Sequence, residues 1–377
     1  MKRGWVVSPI EDLHKTITPP AKIRSTDYQE SGAYPIVSQD AKEINGYWDK
    51  AADLVHVDNN AVICFGDHTK VVKFIDFDFV QGADGLKILL PNKQIYPRFF
   101  YYGLLNTHFR DLGYARHYKL LKKQLMPYPE SFSEQKRIVG ILDAAFGKID
   151  AVQRNAERNL ANAKELFQRV LDEEMTPKKG WENSALTEVC SHIVDCPHST
   201  PKKVSFPTEY PCIRTSELRN GHIAWETMQY LEEEEYQKRI KRLAPTAGDI
   251  VYGREGTFGD AVCLPNTHKF SLGQRTMLFR PDRGKIDSLY LLYFIISNHV
   301  YSQIQNNGCG VGHVNVKDIK KFRIFYPASI DVQRKTANKI EFTYRKIQEQ
   351  INLFLTVLSA SNELKQQILA KAFNGEL

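Results

Sequence analysis

The fold of this chain is decided by a long stretch in its middle, SEQKRIVGILDAAFGKIDAVQRNAERNLANAKELFQRVLDEE, which runs from Ser133 to about Glu174. Apolar and small residues recur in it at alternating steps of three and four, which is the spacing of a coiled-coil seam. A second, interleaved series starts at Ile138. The first series takes every seventh residue from Leu142, and its members are Leu142, Ile149, Ala156, Ala163 and Val170. We predict that this series faces a partner helix.

A similar pattern returns near the C-terminus, from about Asp331 to Phe373. We predict that the two helices pair with each other in an antiparallel coiled coil. A helix of ~40 residues spans roughly 60 Å, so these helices are spacers as much as parts of a core. The residues of the second helix that we place on the pairing face are Ile340, Ile347, Phe354, Leu364 and Ile368.

The whole chain reads as an internal duplication. Trp5 and Trp181 occupy similar motifs that stand 176 positions apart, and from Tyr128 and Tyr326 onward the offset is constant at 198. The constant offset predicts that the two long helices have equal length. Between these points the second copy has gained residues, and the buried strand Ala61–Gly66 corresponds to Asp249–Gly253.

These patterns predict an α+β fold. Two mixed α/β domains are separated by two long antiparallel helices that form a coiled coil, and the halves are related by a pseudo-two-fold internal duplication. We expect a first domain over 1–130, a spacer helix over 131–176, a second domain over 177–328 and a C-terminal spacer helix over 329–377. An aromatic-rich helix is predicted in each domain, from Tyr96 to His108 and from Leu289 to Tyr301.

Composition places the chain among ordinary globular proteins. Its 377 residues are 42% hydrophobic, and no apolar run approaches the ~18 residues of a membrane span, so we expect a cytoplasmic protein. The net charge of +7, from 51 basic and 44 acidic residues, permits a polyanionic partner. Scattered cysteines without close pairs suit a reducing compartment and predict free thiols; they are Cys64, Cys190, Cys196, Cys212, Cys263 and Cys309.

Catalytic motifs are not convincing in this sequence. The glycine-rich segment Asn307–Gly312 follows a helix but opens no strand-turn-helix unit, so it fits a loop better than a phosphate-binding motif. Asp76, Asp78 and Asp84 near Lys87 resemble a nuclease cluster only loosely, because the one-residue gap between acid and lysine is missing. The Asn/Asp-Pro-Pro-aromatic motif of amino-methyltransferases is absent. We expect no catalytic residues and no bound cofactor in this chain.

Four residues of one short segment have the side chains that a zinc site uses. Cys190, His192, Cys196 and His198 are possible tetrahedral ligands. Structural zinc sites usually join two distant segments, however, and the first half of the chain has no counterpart to this one. We therefore predict no metal site.

Polar side chains suited to base edges and phosphates cluster in loop-like stretches of both halves. Arginine and lysine can bond guanine or a phosphate, and glutamine can bond adenine through two hydrogen bonds. Each such residue by itself is more often a solvated surface charge, so the clustering is the informative feature. The candidate DNA-binding residues are His68, Thr69, Lys70, Arg116, His117, Tyr118, Lys119, His198, Thr200, Lys202, Lys203, Arg254, Thr257, Gln274 and Arg275.

With these motifs the whole chain resembles the specificity (S) subunit of a type I restriction-modification system. The segments of the second domain that carry the resemblance are Asp195–Lys202, Tyr236, Gly248–Ile250 and Arg254–Gly259. The helix entries also match, through Tyr128-Pro129 with Glu134-Gln135 and Tyr326-Pro327 with Gln333, as does the ending Leu364–Leu377. Cys196 stands where the family usually has glycine. The first domain follows a different subtype, with Phe65–Lys70 and Val80–Gly85, so we expect the two domains to read different sequences.

The resemblance implies a non-catalytic, sequence-specific DNA-binding subunit. Each target-recognition domain would read one half of a bipartite double-stranded site, and the helices would set the gap. Two modification (methyltransferase) subunits would dock on the chain, bind S-adenosylmethionine and methylate adenine after flipping it. Restriction subunits would supply the chemistry that needs ATP and Mg. The alternative is a non-enzymatic coiled-coil scaffold for protein interactions, which would show no salt-dependent DNA binding.

Overall fold

The computed structural model describes residues 3–57, 61–83, 85–107, 115–255, 259–306 and 314–377. By their contacts the residues form two units, one of Met1–Glu157 with Leu355–Leu377 and one of Arg158–Phe354. Each of the two long helices contributes one part to each unit. Within the described ranges, no helix combines the length and the apolarity that a bilayer crossing requires.

The first unit is mixed in secondary structure. Its strands are β1 (Trp5–Pro9), β2 (His14–Ile17), β3 (Tyr34–Val37), β4 (Gly46–Trp48), β5 (Leu54–Val55), β6 (Val62–Gly66), β7 (Val72–Ile75), β8 (Phe79–Gln81), β9 (Leu86–Pro91) and β10 (Leu125–Pro129). Its helices are α1 (Pro97–Leu105), α2 (Tyr118–Lys122) and the beginning of α3 (Phe132–Met175). Short 3-10 turns lie at Ile10–Leu13, Ser25–Asp27 and Ala51–Asp53.

The second unit has a similar mixture. Its strands are β11 (Glu182–Ala185), β12 (Cys190–Asp195), β13 (Lys203–Val204), β14 (Pro211–Ile213), β15 (Leu218–Arg219), β16 (His222–Ile223), β17 (Gln229–Leu231), β18 (Ile250–Gly253), β19 (Ala261–Cys263), β20 (Ser271–Leu272), β21 (Thr276–Pro281) and β22 (Arg323–Tyr326). Its helices are α4 (Leu186–Val189), α5 (Glu233–Arg239), α6 (Ser288–Ile295), α7 (Asn298–Asn306) and α8 (Val316–Ile319), together with the last part of α3 and the first part of α9 (Ile330–Phe373). Its 3-10 turns lie at Thr215–Glu217 and Trp225–Thr227.

One sheet has the same strand order and the same pairing in both units. A second sheet differs, because its parallel pair is central in the first unit and at the edge in the second. An antiparallel sheet has the order β2-β9-β6-β7 in the first unit and β12-β21-β18-β19 in the second. A sheet with one parallel pair has the order β4-β3-β8-β5 in the first unit and β13-β17-β14-β20 in the second; its parallel pairs are β3–β8 and β14–β20. The predicted strands Ala61–Gly66 and Asp249–Gly253 are the interior strands β6 and β18.

These interior strands are apolar throughout because both of their faces are covered. Alternate residues of a strand point to opposite sides of the sheet. In β6, Ile63 and Phe65 belong to the core that contains α1, whereas Val62 and Cys64 belong to a second core on the other face. The same division occurs in β18, where Tyr252 and Val251 lie in different cores. Continuous hydrophobicity is therefore the expected pattern here.

The predicted aromatic helix of the second domain is in fact two helices. We expected one helix from Leu289 to Tyr301, but α6 ends at Ile295 and α7 begins at Asn298. The fully buried Ser297 lies at the break, and its hydroxyl donates to the carbonyl of Phe294. A serine that bonds the local backbone offers it an alternative to the helical pattern.

The long helices α3 and α9 each contain 44 residues, which confirms the prediction of equal length. After α9, Gly375 adopts a positive φ of 75°. The Glu376 amide donates to the carbonyl of Lys371 and the Gly375 amide to that of Ala372, which is a Schellman arrangement. The glycine that the sequence places after the helix therefore ends it.

Within each unit the parts of α3 and α9 contact each other in opposite directions. In the first unit Arg137 donates to the carbonyl of Leu377 (2.8 Å), and Gln153 donates to Asn362 (2.7 Å). In the second unit the rings of Phe167 and Tyr344 pack edge to face with centroids 5.0 Å apart. Buried residues of the predicted pairing faces are Leu142, Ile149, Ala156, Ala163, Ile340 and Ile347; Val170, Phe354 and Ile368 are half-buried.

The pairing face of α9 differs from the prediction at Leu364. Its side chain is 46% exposed, whereas Ser361 and Leu369 are buried. The half-buried Lys365 takes the inward position and donates to Gln153 (2.8 Å), and its Nζ also pairs with Asp150. The step after Ser361 is thus four residues rather than three, and polar partners on α3 accept the lysine.

Candidate nucleic-acid interface

Three loops of the second unit meet at one end of the sheet β12-β21-β18-β19. Asp195, the last residue of β12, is paired with Met277 near the start of β21. Gly253, the last residue of β18, is paired with Thr276. The segments 195–203, 254–255 and 273–275 therefore lie together, and we call them the second-unit cluster.

The second-unit cluster is held by ion pairs and hydrogen bonds in which predicted site residues take part. Arg254 Nε lies 3.3 Å from a carboxylate oxygen of Asp195, although it is poorly aligned for a hydrogen bond. Arg275 Nε lies 3.3 Å from Glu255 Oε2. Gln274 donates from Nε2 to the carbonyl of His198 (3.2 Å) and to the hydroxyl of Thr200 (3.3 Å).

The members of this cluster differ in their exposure. The side chains of Arg275 and His198 are 64% and 68% exposed, and Thr200, Lys202 and Lys203 are exposed as well. Arg254, in contrast, is 9% exposed as a residue, and its guanidinium lies between Asp195 and Glu255. The exposed cations can reach a polyanion, whereas Arg254 is placed to organise the acidic residues behind them.

Sequence reasoning missed the residue that supports this cluster. Arg239 of α5 is 5% exposed and donates to the carbonyls of Pro197 (3.4 Å) and Ser199 (3.2 Å). It also donates to the carbonyl of Leu272 from Nε (3.0 Å) and Nη2 (2.8 Å). One guanidinium thus ties the loop after β12 to the strand before Gln274. Its sequence signals were a spacing of three from Tyr236 and a spacing of four from Glu235, whose carboxylate lies 3.8 Å from Arg239 Nη1.

The first unit gathers its predicted residues at the corresponding end of the sheet β2-β9-β6-β7. Gly66, at the end of β6, is paired with Leu86 at the start of β9. The buried Asp67 accepts the amide of Tyr118 on its carboxylate (2.8 Å). His68 Nδ1 lies 3.2 Å from the carbonyl of Ala115. The segments 67–70 and 115–119 are therefore joined, and we call them the first-unit cluster.

Three predicted residues of the first-unit cluster use their side chains within the fold. His117 is fully buried, with Nδ1 3.1 Å from the Asp67 carbonyl, so it does not face a ligand. The Tyr118 hydroxyl lies 2.8 Å from His14 Nε2 and 2.9 Å from Thr16 Oγ1. The Thr69 hydroxyl donates to the carbonyl of Gln39 (2.6 Å). The short motif could not indicate which of its side chains point inward.

Basic side chains lie in the first-unit cluster and beside it. Arg116 and Lys119 are exposed, and His68 and Lys70 are half-buried. Lys87 and Lys122, which are not among the residues predicted to bind DNA, lie 5.8 and 5.9 Å from the centre of the Tyr118 ring.

A basic residue with a left-handed backbone is present in each cluster. Lys70 has φ 61° and Arg275 has φ 67°. Non-glycine residues adopt this conformation at a cost of about 1 kcal/mol or more, and such strain is concentrated at functional sites. Both residues occupy tight turns at the same end of matching sheets.

The possible zinc ligands of the sequence do not form a metal site. Across the part of the chain that the structure covers, no group of three or more His, Cys, Asp or Glu residues is arranged to hold a metal ion. Burial raises the pKa of the Cys190 thiol to about 12, and Cys196 is buried as well.

Free thiols in the described ranges are Cys64, Cys190, Cys196, Cys212 and Cys263. Asp84, Thr257, Cys309 and the segment 307–312 lie outside the described residues.

Known proteins provide an independent comparison. The family model described as the type I restriction modification DNA specificity domain matches residues 178–372, which is more than half of the chain. The specificity subunit of the type I restriction enzyme EcoKI from Escherichia coli K12 is 26% identical, over all of this chain and 90% of that protein. The EcoBI specificity subunit from Escherichia coli is 22% identical, over 77% of this chain and 68% of that protein.

A solved structure shares the fold. A chain from a structure of a type I restriction-modification system aligns with all of this chain and 99% of its own length, with a TM-score of 0.72 and 16% sequence identity. Together with the family match, the resemblance that the motifs carried is confirmed. The chain belongs to the type I restriction-modification DNA specificity family, and it is a specificity subunit.

Proposed function

We propose that this chain is a non-catalytic DNA reader in which each mixed domain recognises one half of a bipartite target. The observation that supports this most directly is the position of the two clusters. Segments that are distant in sequence converge on the same end of matching sheets, and both clusters present exposed basic side chains there. Direct readout needs such loop-borne donors on a rigid support. The pseudo-two-fold duplication that the sequence predicts would account for the presence of two clusters.

The side chains proposed to contact DNA form a narrower set than the sequence suggested. In the second-unit cluster they are His198, Thr200, Lys202, Lys203, Gln274 and Arg275. In the first-unit cluster they are His68, Lys70, Arg116 and Lys119. Arg254 is assigned a positioning role because its guanidinium is enclosed by acids. Because the two sets differ in residue type, the two half-sites should differ in sequence.

The long helices are proposed to act as a ruler in the form of an antiparallel coiled coil. Their equal length and their opposite directions within each unit fit this role. They also carry large apolar side chains that face solvent, which is the kind of surface a helical partner covers. We propose that modification subunits dock there; the exposed residues are Val152, Leu166, Phe342, Leu353, Leu355 and Leu364.

Chemistry in the proposed complex belongs to the partners. The modification subunits would bind S-adenosylmethionine and methylate adenine, and the restriction subunits would use ATP and Mg. The specificity chain would hold the DNA so that the target base can be flipped into a methyltransferase site. It supplies contacts and geometry rather than a reacting group.

The test is binding of the complex with its modification subunits to a random duplex library, measured at two salt concentrations. We expect enrichment of two short sequence blocks at a fixed separation, and affinity that falls steeply with salt because phosphate contacts release counterions. Enrichment without a bipartite pattern would contradict the proposal. Negligible, salt-independent DNA binding would instead favour the scaffold alternative.

A further inference from the structure

A buried glutamine anchors the base of α3 in the first unit. Gln135 is fully buried in the first turns of the helix. Its Nε2 donates to the carbonyls of Gln94 (3.0 Å) and Pro129 (2.9 Å), and its Oε1 accepts the amide of Tyr96 (2.7 Å). One side chain therefore joins the helix to the end of β10 and to the loop before α1.

The same arrangement of three hydrogen bonds, which we call the glutamine clamp, occurs at the base of α9 in the second unit. Gln333 is also fully buried. Its Nε2 donates to the carbonyls of Lys285 (3.1 Å) and Pro327 (2.7 Å), and its Oε1 accepts the amide of Asp287 (2.7 Å). It joins the helix to the end of β22 and to the loop before α6.

The chemistry of this clamp requires glutamine. Both amide hydrogens are given to carbonyls, and the amide oxygen takes an N–H group, so the orientation of the amide is fixed by its partners. Each partner is a backbone atom, and the partners of Gln333 are the repeat counterparts of those of Gln135. Side-chain sequence around the partners can vary without loss of the clamp.

We propose that Gln135 and Gln333 are positioning residues for target recognition, because each fixes the direction in which a long helix leaves its recognition domain. This inference rests on the proposed function as a reader of a bipartite site. A tilt of about 5° at the base of a ~60 Å helix moves its far end by about 5 Å, which exceeds the ~3.4 Å rise of one base pair. The clamp therefore determines how strongly the complex prefers one gap length between the half-sites over a gap that differs by one base pair.

The experiment uses the full complex with modification subunits and a series of duplexes. All duplexes carry the same two half-sites, and the gap varies from two base pairs shorter to two longer than the preferred gap. Gln135→Ala, Gln333→Ala and the double variant are compared with Gln367→Ala, which removes an exposed glutamine from α9. We expect the preference for the correct gap over a gap one base pair different to fall about tenfold or more in the clamp variants, with base preferences in both half-sites unchanged.

Milder variants keep the test decisive if alanine prevents assembly. Gln135→Asn and Gln333→Asn retain an amide but shorten it by one methylene, so they loosen the clamp with less loss of folding. Assembled clamp variants that keep the wild-type gap preference, or that lose base preference without a change in gap preference, would overturn the inference. Absence of any gap preference in the wild-type complex would instead overturn the proposed function.

Discussion

At the scale of single residues, a substitution of Arg275 can test its contribution to DNA binding separately from its contribution to the stability of the fold. Its left-handed backbone suits asparagine better than arginine, and its side chain is 64% exposed in the ion pair with Glu255. We expect Arg275→Asn to change the free energy of unfolding by less than about 1 kcal/mol. The variant should weaken binding of one half-site by about 1–3 kcal/mol if Arg275 reads a base.

The measurement is binding of the complex to duplexes that are mutated in one half-site at a time. Lys321→Asn, which removes another exposed cation of the same unit, serves as the control. A uniform loss over all sequences with a smaller salt slope would reassign Arg275 to phosphate contact. An unchanged affinity would remove it from the proposed interface.

A second residue-scale prediction concerns Glu341 of α9. Its carboxylate lies 3.3 Å from His222 Nε2, and it also accepts bonds from Tyr293 and Arg345. The bond with His222, followed by those with Tyr293 and Arg345, holds the pKa of Glu341 at about 2, against an ordinary value of 4.5. A carboxylate with a depressed folded-state pKa stabilises the fold above pH 4.5 and loses that contribution as the pH falls toward 2.

Glu341→Gln should therefore lower the free energy of unfolding near neutral pH by about 1–2 kcal/mol, after allowance for solvent screening. Its stability should also fall less than that of the wild type between pH 5 and pH 3. Chemical denaturation at several pH values measures both effects. Glu349→Gln on the same helix, where the side chain is 62% exposed, should follow the wild-type curve. Parallel curves for wild type and Glu341→Gln would refute the assignment.

Single residues also show what the sequence could not reveal about the site. Loop position and residue type placed Arg275 and Arg116 at the candidate interface. The same criteria chose His117, which the fold buries against Asp67, because a four-residue motif carries no information about the side that each residue faces. Arg239 was missed because the partners through which it supports the cluster are backbone carbonyls from distant segments, and these have no signature in the sequence.

At the scale of elements, the seam of the long helices was predictable from periodicity for most of its length. The exception is the end of α9, where steps of three and four lead from Ser361 to Leu364 or to Lys365. Hydrophobicity favoured the leucine, but Asp150 and Gln153 on α3 favour the lysine. Which of the two residues faces inward depends on the side chains of the opposite helix, and the pattern of α9 alone does not contain that information.

A matched pair of leucines tests this register. Leu369 is 1% exposed, so Leu369→Ala should lower the free energy of unfolding by about 2–4 kcal/mol through lost burial and a cavity. Leu364→Ala should change it by less than about 0.5 kcal/mol, because the side chain faces solvent and both residues favour helix. Denaturant unfolding of the two variants measures the difference. Equal losses would place Leu364 on the pairing face after all.

At the scale of the whole molecule, self-comparison of the sequence supplied more than local patterns did. The offset between the two halves changes along the chain, which predicted added residues in the second copy before the strand Asp249–Gly253. The hairpin β15–β16 lies in that part of the second copy. Its turn, Asn220-Gly221, has positive φ at both residues, as a two-residue hairpin requires. The contact of this hairpin with α9 through His222 was not predictable, because it joins residues that are more than 100 positions apart.

The last prediction concerns the ruler itself. A seven-residue insertion lengthens a helix by about 10.5 Å, or roughly three base pairs of DNA, and keeps the heptad pattern in register. Insertions placed after Glu157 in α3 and after Phe354 in α9 fall where the chain passes between its two units and preserve the antiparallel pairing. We expect the preferred gap to increase by about three base pairs while the bases of both half-sites stay the same.

Mapping of adenine methylation across the genome of cells that carry the lengthened chain measures the gap and the bases together. Substitution of seven residues at the same positions, without a change in length, is the control and should leave the gap unchanged. If the complex that contains the lengthened chain methylates targets with the original gap, the helices do not set the separation. In that case the recognition domains themselves would have to fix it through contacts along the intervening DNA.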